Sequence, residues 1–161
     1  MGPRTTILEA MSGDDYELVQ VLTADEWQAV HDMRRAELFV RHPGIRYDQN
    51  HPDDRMPGHF LFLLLLNGQS IGTARLDLGA RGQGIMRLVA IAKPEQRKGH
   101  GRVLQERFET FARGMGVTDL YVNAARDAVG FYERMGFIPE HFDDAVRKGI
   151  ADDTVPMRKR V

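Results

Sequence analysis

Residues 96 to 102 read Gln96-Arg97-Lys98-Gly99-His100-Gly101-Arg102, and from Leu104 the apolar positions Phe108, Phe111 and Met115 fall at helical spacing. A helix start offers N–H groups without intrahelical partners and a partial positive charge. Glycines there let a phosphate approach the backbone closely. The spacing therefore points to a phosphate-bearing ligand, and it also narrows which one. A P-loop requires G-x-x-x-x-G-K-[ST], which is absent, and a dinucleotide fingerprint requires a third glycine where this chain has Leu104. Two glycines can also form a plain strand-to-helix turn, and Arg97, Lys98 and Arg102 a solvated basic face. Downstream lie Asn123, either a ligand contact or a helix cap, and Tyr132 within "AVGFYERMGF", either core or catalyst. His42, His51 and His59 lie in or beside a stretch with Asp48, Asp53 and Asp54, but without a recognisable ligand spacing, so no metal is expected.

These residues need elements to hold them. "YELVQVL", Tyr16 to Leu22, reads as a strand, and Thr23-Ala24-Asp25-Glu26 as a capping box opening a helix with Trp27, Val30, Met33 and Arg34 that runs to about Phe39. Residues 40 to 58 have no period and read as an ordered loop or a loop with a short helix. "HFLFLLLL", then Asn67-Gly68, then "QSIGTARLDL" is a hairpin whose first strand is apolar on both faces and so belongs inside the sheet. A glycine-rich turn leads into "IMRLVAI", Ile85 to Ile91, an antiparallel neighbour. After the Gly101 helix, which stops near Gly116, "DLYVNA" is a short strand and Arg126 to Met135 a second helix. Gly130 is odd inside a helix; close approach by a ligand or a neighbouring strand would explain it, and so would crowding. "FIPEHF" and "TVPMRKRV" read as two closing strands, with Pro139 and Pro156 indicating edges or bulges.

The chain has 161 residues, 42% hydrophobic and 28% charged, with a formal net charge of -1. One domain over 1–161 is expected, with residues 1–14 a flexible extension. Balanced charge argues against a nucleic-acid binder. The absence of cysteine excludes disulfides, a thiolate zinc site and a cysteine nucleophile. No run approaches the ~20 apolar residues of a membrane helix and no signal-peptide pattern is present, so the expected location is cytoplasmic.

The Gln96–Gly101 loop after a strand resembles the [Q/R]-x-x-G-x-[G/A] pyrophosphate loop of the GNAT superfamily of N-acetyltransferases. "AVGFYERMGF" from Ala128 to Phe137 is similar to that superfamily's A-x-x-F-Y-x-x-x-G-F segment, and "MRLVAI" to a strand seen in small bacterial members. The match spans about residues 84 to 138. The resemblance implies an α/β fold of the α+β type: a mixed, mostly antiparallel sheet of about six to seven strands flanked by helices. It also implies acetyl-CoA as cosubstrate, and a small-molecule amine or a protein amino group as acceptor, attacked directly in a ternary complex.

By the same resemblance, Leu88, Val89, Ala90 and Ile91 would pair with the pantetheine arm, and the N–H of Leu88 or Val89 would polarise the thioester oxygen. Gln96, Arg97, Lys98, Gly99, His100, Gly101 and Arg102 would hold the pyrophosphate. Asn123, Phe131 and Tyr132 would line the pantetheine, with Tyr132 as general acid. Glu37, Asp77, and Asp152 or Asp153 are each open as general base, as is a water chain. Arg87 stands where some relatives carry a carboxylate; it would bind an acidic acceptor group or close a structural ion pair. A homodimer paired through the final strand is compatible with such domains. The alternative from another class is a non-catalytic acyl-CoA sensor, which would keep the loop and be indifferent to Tyr132.

Overall fold

A computed structural model describes residues 15–143 and 153–161. The chain folds as a seven-stranded sheet in the order β1-β2-β3-β4-β5-β7-β6: β1 Tyr16–Gln20, β2 His59–Leu66, β3 Gln69–Leu78, β4 Gln83–Ile91, β5 Asp119–Ala125, β6 Ile138–Pro139 and β7 Thr154–Arg160. Every neighbouring pair is antiparallel except β4 and β5, which are joined by a helical crossover. Among the described residues three α-helices flank it: α1 Ala24–Glu37, α2 His100–Gly114 and α3 Val129–Arg134.

The period-two pattern of β2 decides which helix covers which face. Leu61 and Leu63 point to one side and pack with Val19, Val21, Val30 and Trp27, which is the α1 layer. Phe62 and Leu64 point to the other and join Leu104, Phe108 and Ala112 of α2, with Tyr132 of α3 in the same core. Both faces of the strand are covered, so "HFLFLLLL" has no polar side. Burying each such side chain contributes about 1.5–3 kcal/mol before the entropy of ordering it is counted. At the β2–β3 turn Asn67 and Gly68 both adopt positive φ, 50° and 83°, the geometry that Asn-Gly permits.

The capping box at α1 is complete. Thr23 Oγ1 accepts from the Glu26 N–H at 3.2 Å, and Glu26 Oε1 accepts from the N–H groups of Thr23 and Leu22 at 2.9 and 3.0 Å. Thr23→Ala removes one acceptor and leaves an N–H orphaned, and an equilibrium denaturant titration is expected to show a loss of about 1 kcal/mol.

Four expectations change. The strand expected through Leu22 ends at Gln20, and the helix expected to reach Phe39 ends at Glu37, followed by short 3-10 turns at Phe39–Arg41 and Pro52–Arg55 in the irregular stretch. The helix expected over Arg126 to Met135 is a 3-10 turn, Arg126–Ala128, leading into the shorter α3. "FIPEHF" contributes only the two residues of β6: the Glu140 N–H still donates to the Pro156 carbonyl at 2.9 Å, but Pro156 has no N–H to return the bond. That stub is the sheet's outer edge: β7, with Pro156, pairs with β5 along its length and with β6 at Met157 and Arg158. Residues 1–14 and Asp152, both named above, lie outside the described residues.

Candidate active site

The sheet opens between β4 and β5. Their parallel pairing runs from Gln83↔Asp119 to Met86↔Val122 and then stops, although β4 continues to Ile91 and β5 to Ala125. On its other side β4 stays paired with β3 through an irregular step: Arg75 faces Arg87 and Thr73 faces Ala90, so Ala74 alone spans Leu88 and Val89. This is a β-bulge, and Leu88 pays for it with φ 52°, a conformation costing a non-glycine residue on the order of 1–3 kcal/mol. The bulge begins where the β5 pairing ends. Residues 88 to 91 thus present a strand edge to the cleft rather than to β5, which suits an extended ligand pairing as an added strand.

At the end of that edge lies the glycine loop. A 3-10 turn at Lys93–Glu95 is held by the Glu37 carboxylate, which accepts from the Lys93 N–H, and Gln96 Nε2 donates back to the Ile91 carbonyl at 2.9 Å. Arg97 and Gly99 then take left-handed φ values of 65° and 85°, and Gly99 caps α2 without a side chain. A β-carbon at Gly101 would lie 3.4 Å from the Phe131 ring, so glycine keeps the helix start close to α3. Beside it is a cavity of about 420 Å³ lined by Ile91, Gln96, Gly99, Gly101 and Phe131, with Arg97, Arg102 and Arg134 around it. Three guanidiniums beside helix N–H groups make an anion site. Arg134 and Met135 were missed in the sequence, although Arg134 follows Phe131 at the i,i+3 spacing that puts both on one side of a helix. At Gly130 a β-carbon would meet only the end of the exposed Arg134 side chain, Nη1 at 3.3 Å, which can move aside, so no crowding there requires glycine.

The other expected residues take varied positions. His100 turns its ring inward, where Nδ1 and the Tyr16 hydroxyl share a hydrogen bond of 2.6 Å and Nε2 lies 3.2 Å from Glu95 Oε2, so only its backbone can face the cavity. Lys98 extends into solvent, 3.8 Å from Glu95. Asn123 lies half-buried on β5, paired in register with Pro156. Tyr132 packs edge-on against Phe131 and Phe137. Burial pushes its phenol above the ordinary range, so it is protonated at any physiological pH. Of the base candidates, Glu37 is bonded to Lys93, Asp153 to Arg126 at 2.7 Å, and Asp77 to two arginines.

Those arginines belong to a buried charge chain on the α1 side of the sheet. Arg34 donates to both oxygens of Asp54, at 2.8 and 3.1 Å; Arg75 donates Nη1 to Asp54 at 2.8 Å and grips Asp77 through Nε and Nη2 at 2.7 and 3.0 Å; Arg87 donates Nε to Asp77 at 2.8 Å. His59 Nδ1 lies 3.4 Å from Asp77 and donates to the Asp53 carbonyl, which places the ring proton on Nδ1. Desolvation favours the neutral form of Asp54, but the hydrogen bonds and charges of Arg34 and Arg75 outweigh it and hold the carboxyl below its usual range. Nearby His31 is pushed down by burial and by Arg34, and Tyr47 up by burial. Of the loop histidines, His51 Nδ1 accepts from the Asp53 N–H and His59 donates to the Asp53 carbonyl, while His31 on α1 bonds the Tyr47 hydroxyl. Among the described residues no three His, Asp or Glu side chains converge as metal ligands.

A bulged strand that parts from its parallel neighbour and ends at a glycine-capped helix offers a backbone edge and an anion site to an extended ligand. The acetyltransferase (GNAT) domain family model matches residues 43–161, and the chain belongs to that family. The fold agrees with solved structures over about nine-tenths of the chain. An acyl-CoA N-acyltransferase from Pseudomonas aeruginosa is 21% identical at a TM-score of 0.72, covering 91% of this chain and 99% of its own. The ribosomal-protein-S18-alanine N-acetyltransferase from Escherichia coli is 16% identical at 0.70, covering 90% and 93%. A PaiA N-acetyltransferase from Thermoplasma acidophilum, solved with coenzyme A, is 14% identical at 0.67, covering 91% and 99%. No curated protein sequence matches at a significant level.

Proposed function

We propose that the protein is an acetyl-CoA-dependent N-acetyltransferase that moves an acetyl group to a primary amine by direct attack. The observation that carries this reading is the Leu88 bulge, placed where β4 leaves β5 and one strand-length from the glycine loop. At ~3.3 Å per residue the edge from Leu88 to Ile91 spans roughly 10 Å, the scale of a pantetheine arm laid along it. The phosphates then fall at the N–H groups of residues 99 to 102 with Arg97, Arg102 and Arg134 around them. The thioester falls at the bulge, where the N–H of Leu88 or Val89 can polarise its oxygen.

The acetyl group supplies the electrophile; the chain's residues supply orientation and a proton. The neutral amine forms the N–C bond as the C–S bond breaks, and the Tyr132 hydroxyl donates toward the departing sulfur. No carboxylate among the described candidates faces the cleft without a cationic or backbone partner, so the amine's surplus proton leaves through water. The acceptor is a small molecule or protein amino group, in keeping with the family.

Calorimetric titration with acetyl-CoA, with CoA, ATP and NAD as controls, tests the cofactor reading. Binding in the micromolar range, about -8 kcal/mol, is expected for the CoA compounds alone. A folded sample that binds neither CoA compound would overturn it.

A further inference from the structure

Along the N-terminal half of α1 lies a second cavity, of about 460 Å³, whose lining includes the apolar Leu22, Ala24 and Trp27 and the polar His31, Gln49 and Arg55. It is built between α1 and the stretch that precedes β2, apart from the cleft. Trp27 packs with Val19, Leu61 and Leu63 over β1 and β2, whereas the cleft opens between β4 and β5. The glycine loop meets only the far end of α1, through Glu37, and at ~1.5 Å per residue Trp27 stands roughly 15 Å down the helix from there.

Two polar groups in this lining lack the partners their chemistry calls for. His31 is 4% exposed. Its Nδ1 bonds the Tyr47 hydroxyl, whose oxygen also accepts from Arg34 Nη1 at 3.3 Å, so the phenol proton goes to Nδ1 and the ring proton stands on Nε2. Among the described residues nothing accepts from that Nε2–H. Arg55 lays its guanidinium 4.3 Å over the Trp27 ring, and among the described residues no carboxylate pairs with it. Gln49 adds a third donor: its Oε1 accepts from Arg35 Nη2 at 2.7 Å, which leaves its amide N–H groups for a further partner. The nearby Asp32 carboxylate accepts from Gln28 Nε2 at 2.8 Å and lies 3.8 Å from Arg35. The field at His31 has the matching sign. Burial first, and then the charges of Arg34, Arg35 and Arg55 against that of Asp54, push its imidazole below the ordinary range and keep the ring neutral near pH 7.

We propose that this cavity is a second ligand site and takes a small monocarboxylate with an apolar or aromatic body. The carboxylate would be held by Arg55, His31 Nε2 and Gln49, and the body would lie against Trp27 and Leu22. A guanidinium keeps its charge at all working pH values and grips a carboxylate as a planar fork. Inorganic phosphate fits the lining less well, because it brings no apolar surface to the indole and has more hydration to lose. The volume falls in the lower part of the range usual for small-ligand pockets. The inference uses no residue of the cleft and does not depend on the acetyl-transfer reading.

Trp27 is the chain's single tryptophan, so its fluorescence reports on this cavity directly. The probes are phenylacetate and hexanoate, their neutral amides phenylacetamide and hexanamide, and inorganic phosphate. At least one carboxylate is expected to give a saturable change with a dissociation constant of about 1 mM or below, and its amide to bind about tenfold to a hundredfold more weakly. Arg55→Gln, at an exposed position, should weaken the carboxylate by a similar factor when binding is read by calorimetry, with the thermal midpoint within a few degrees of the parent's. The comparison of carboxylate with amide needs no variant and decides the matter even if Arg55→Gln folds poorly. The proposal is overturned by the absence of a saturable response to either carboxylate at about 10 mM. It is equally overturned by amides or phosphate that bind as well as the carboxylates, by full affinity in a folded Arg55→Gln, or by displacement of the probe with acetyl-CoA.

Discussion

Replacing Asp54 by alanine is expected to lower the unfolding free energy by about 3–5 kcal/mol, the cost of leaving buried charges without their counter-ion. Asp54 accepts three hydrogen bonds, two from Arg34 on α1 and one from Arg75 on β3, and its side chain is 3% exposed. Its removal leaves the Arg34 guanidinium without its carboxylate and Arg75 with Asp77 alone, and Arg34 can neither deprotonate nor reach water without shifting α1 off the sheet. For a domain whose total stability is about 5–15 kcal/mol, that is a large share. The acid limb of stability follows from the same contacts. The Asp54 carboxyl is held below its ordinary range, so its contribution is complete above about pH 4 and is lost as pH falls through the folded-state value. Asp54→Asn removes the titrating group, and its denaturant midpoint should therefore vary less between pH 5 and pH 3 than that of the parent protein. An unfolding free energy for Asp54→Ala within about 0.5 kcal/mol of the parent would show that the chain of charges does not hold α1 to the sheet.

What the sequence reveals about this molecule depends on how far apart the cooperating residues are. The glycine loop is legible because Gln96, Gly99 and Gly101 act through the backbone of one short segment, and the helix after it announces itself by period. The hairpin is legible because Asn67-Gly68 carries its own turn geometry. The buried charge chain is not, because Arg34, Asp54, Arg75, Asp77 and Arg87 come from four elements and meet only when α1 lies across the sheet. Read alone, each is an ordinary surface charge, and Asp77 even looks available as a base until Arg75 and Arg87 are seen to hold it. The same limit hid the inward turn of His100: its partner Tyr16 lies 84 residues away, so loop membership could be read and side-chain direction could not. The tail failed for the same reason of distance. "FIPEHF" has the composition of a strand, but a ladder depends on N–H groups from both strands, and Pro156 of β7 has none to return the bond it accepts from Glu140.

Tyr132→Phe is expected to lower kcat about a hundredfold while leaving the acetyl-CoA dissociation constant within about twofold, toward the lower end of what positioned acid catalysts contribute. The magnitude follows from the phenol's surroundings. Packed between Phe131 and Phe137, it is pushed well above its ordinary pKa, whereas a leaving thiol titrates near 8.5. Complete proton transfer that leaves a buried tyrosinate is therefore uphill. In the proposed transfer the hydroxyl would act by donating a hydrogen bond as negative charge grows on sulfur, transferring its proton only if one is returned from the amine side in the same event. Two consequences separate this from a conventional acid. The pH profile of kcat should show no falling limb that belongs to Tyr132 below pH 10, since the group never ionises in that range. And because Phe preserves the ring packing against Phe131 and Phe137, Tyr132→Phe should keep the parent's thermal midpoint within a few degrees while losing turnover. Unchanged turnover in Tyr132→Phe would remove the hydroxyl from the mechanism and favour a protein that binds the cofactor without using it.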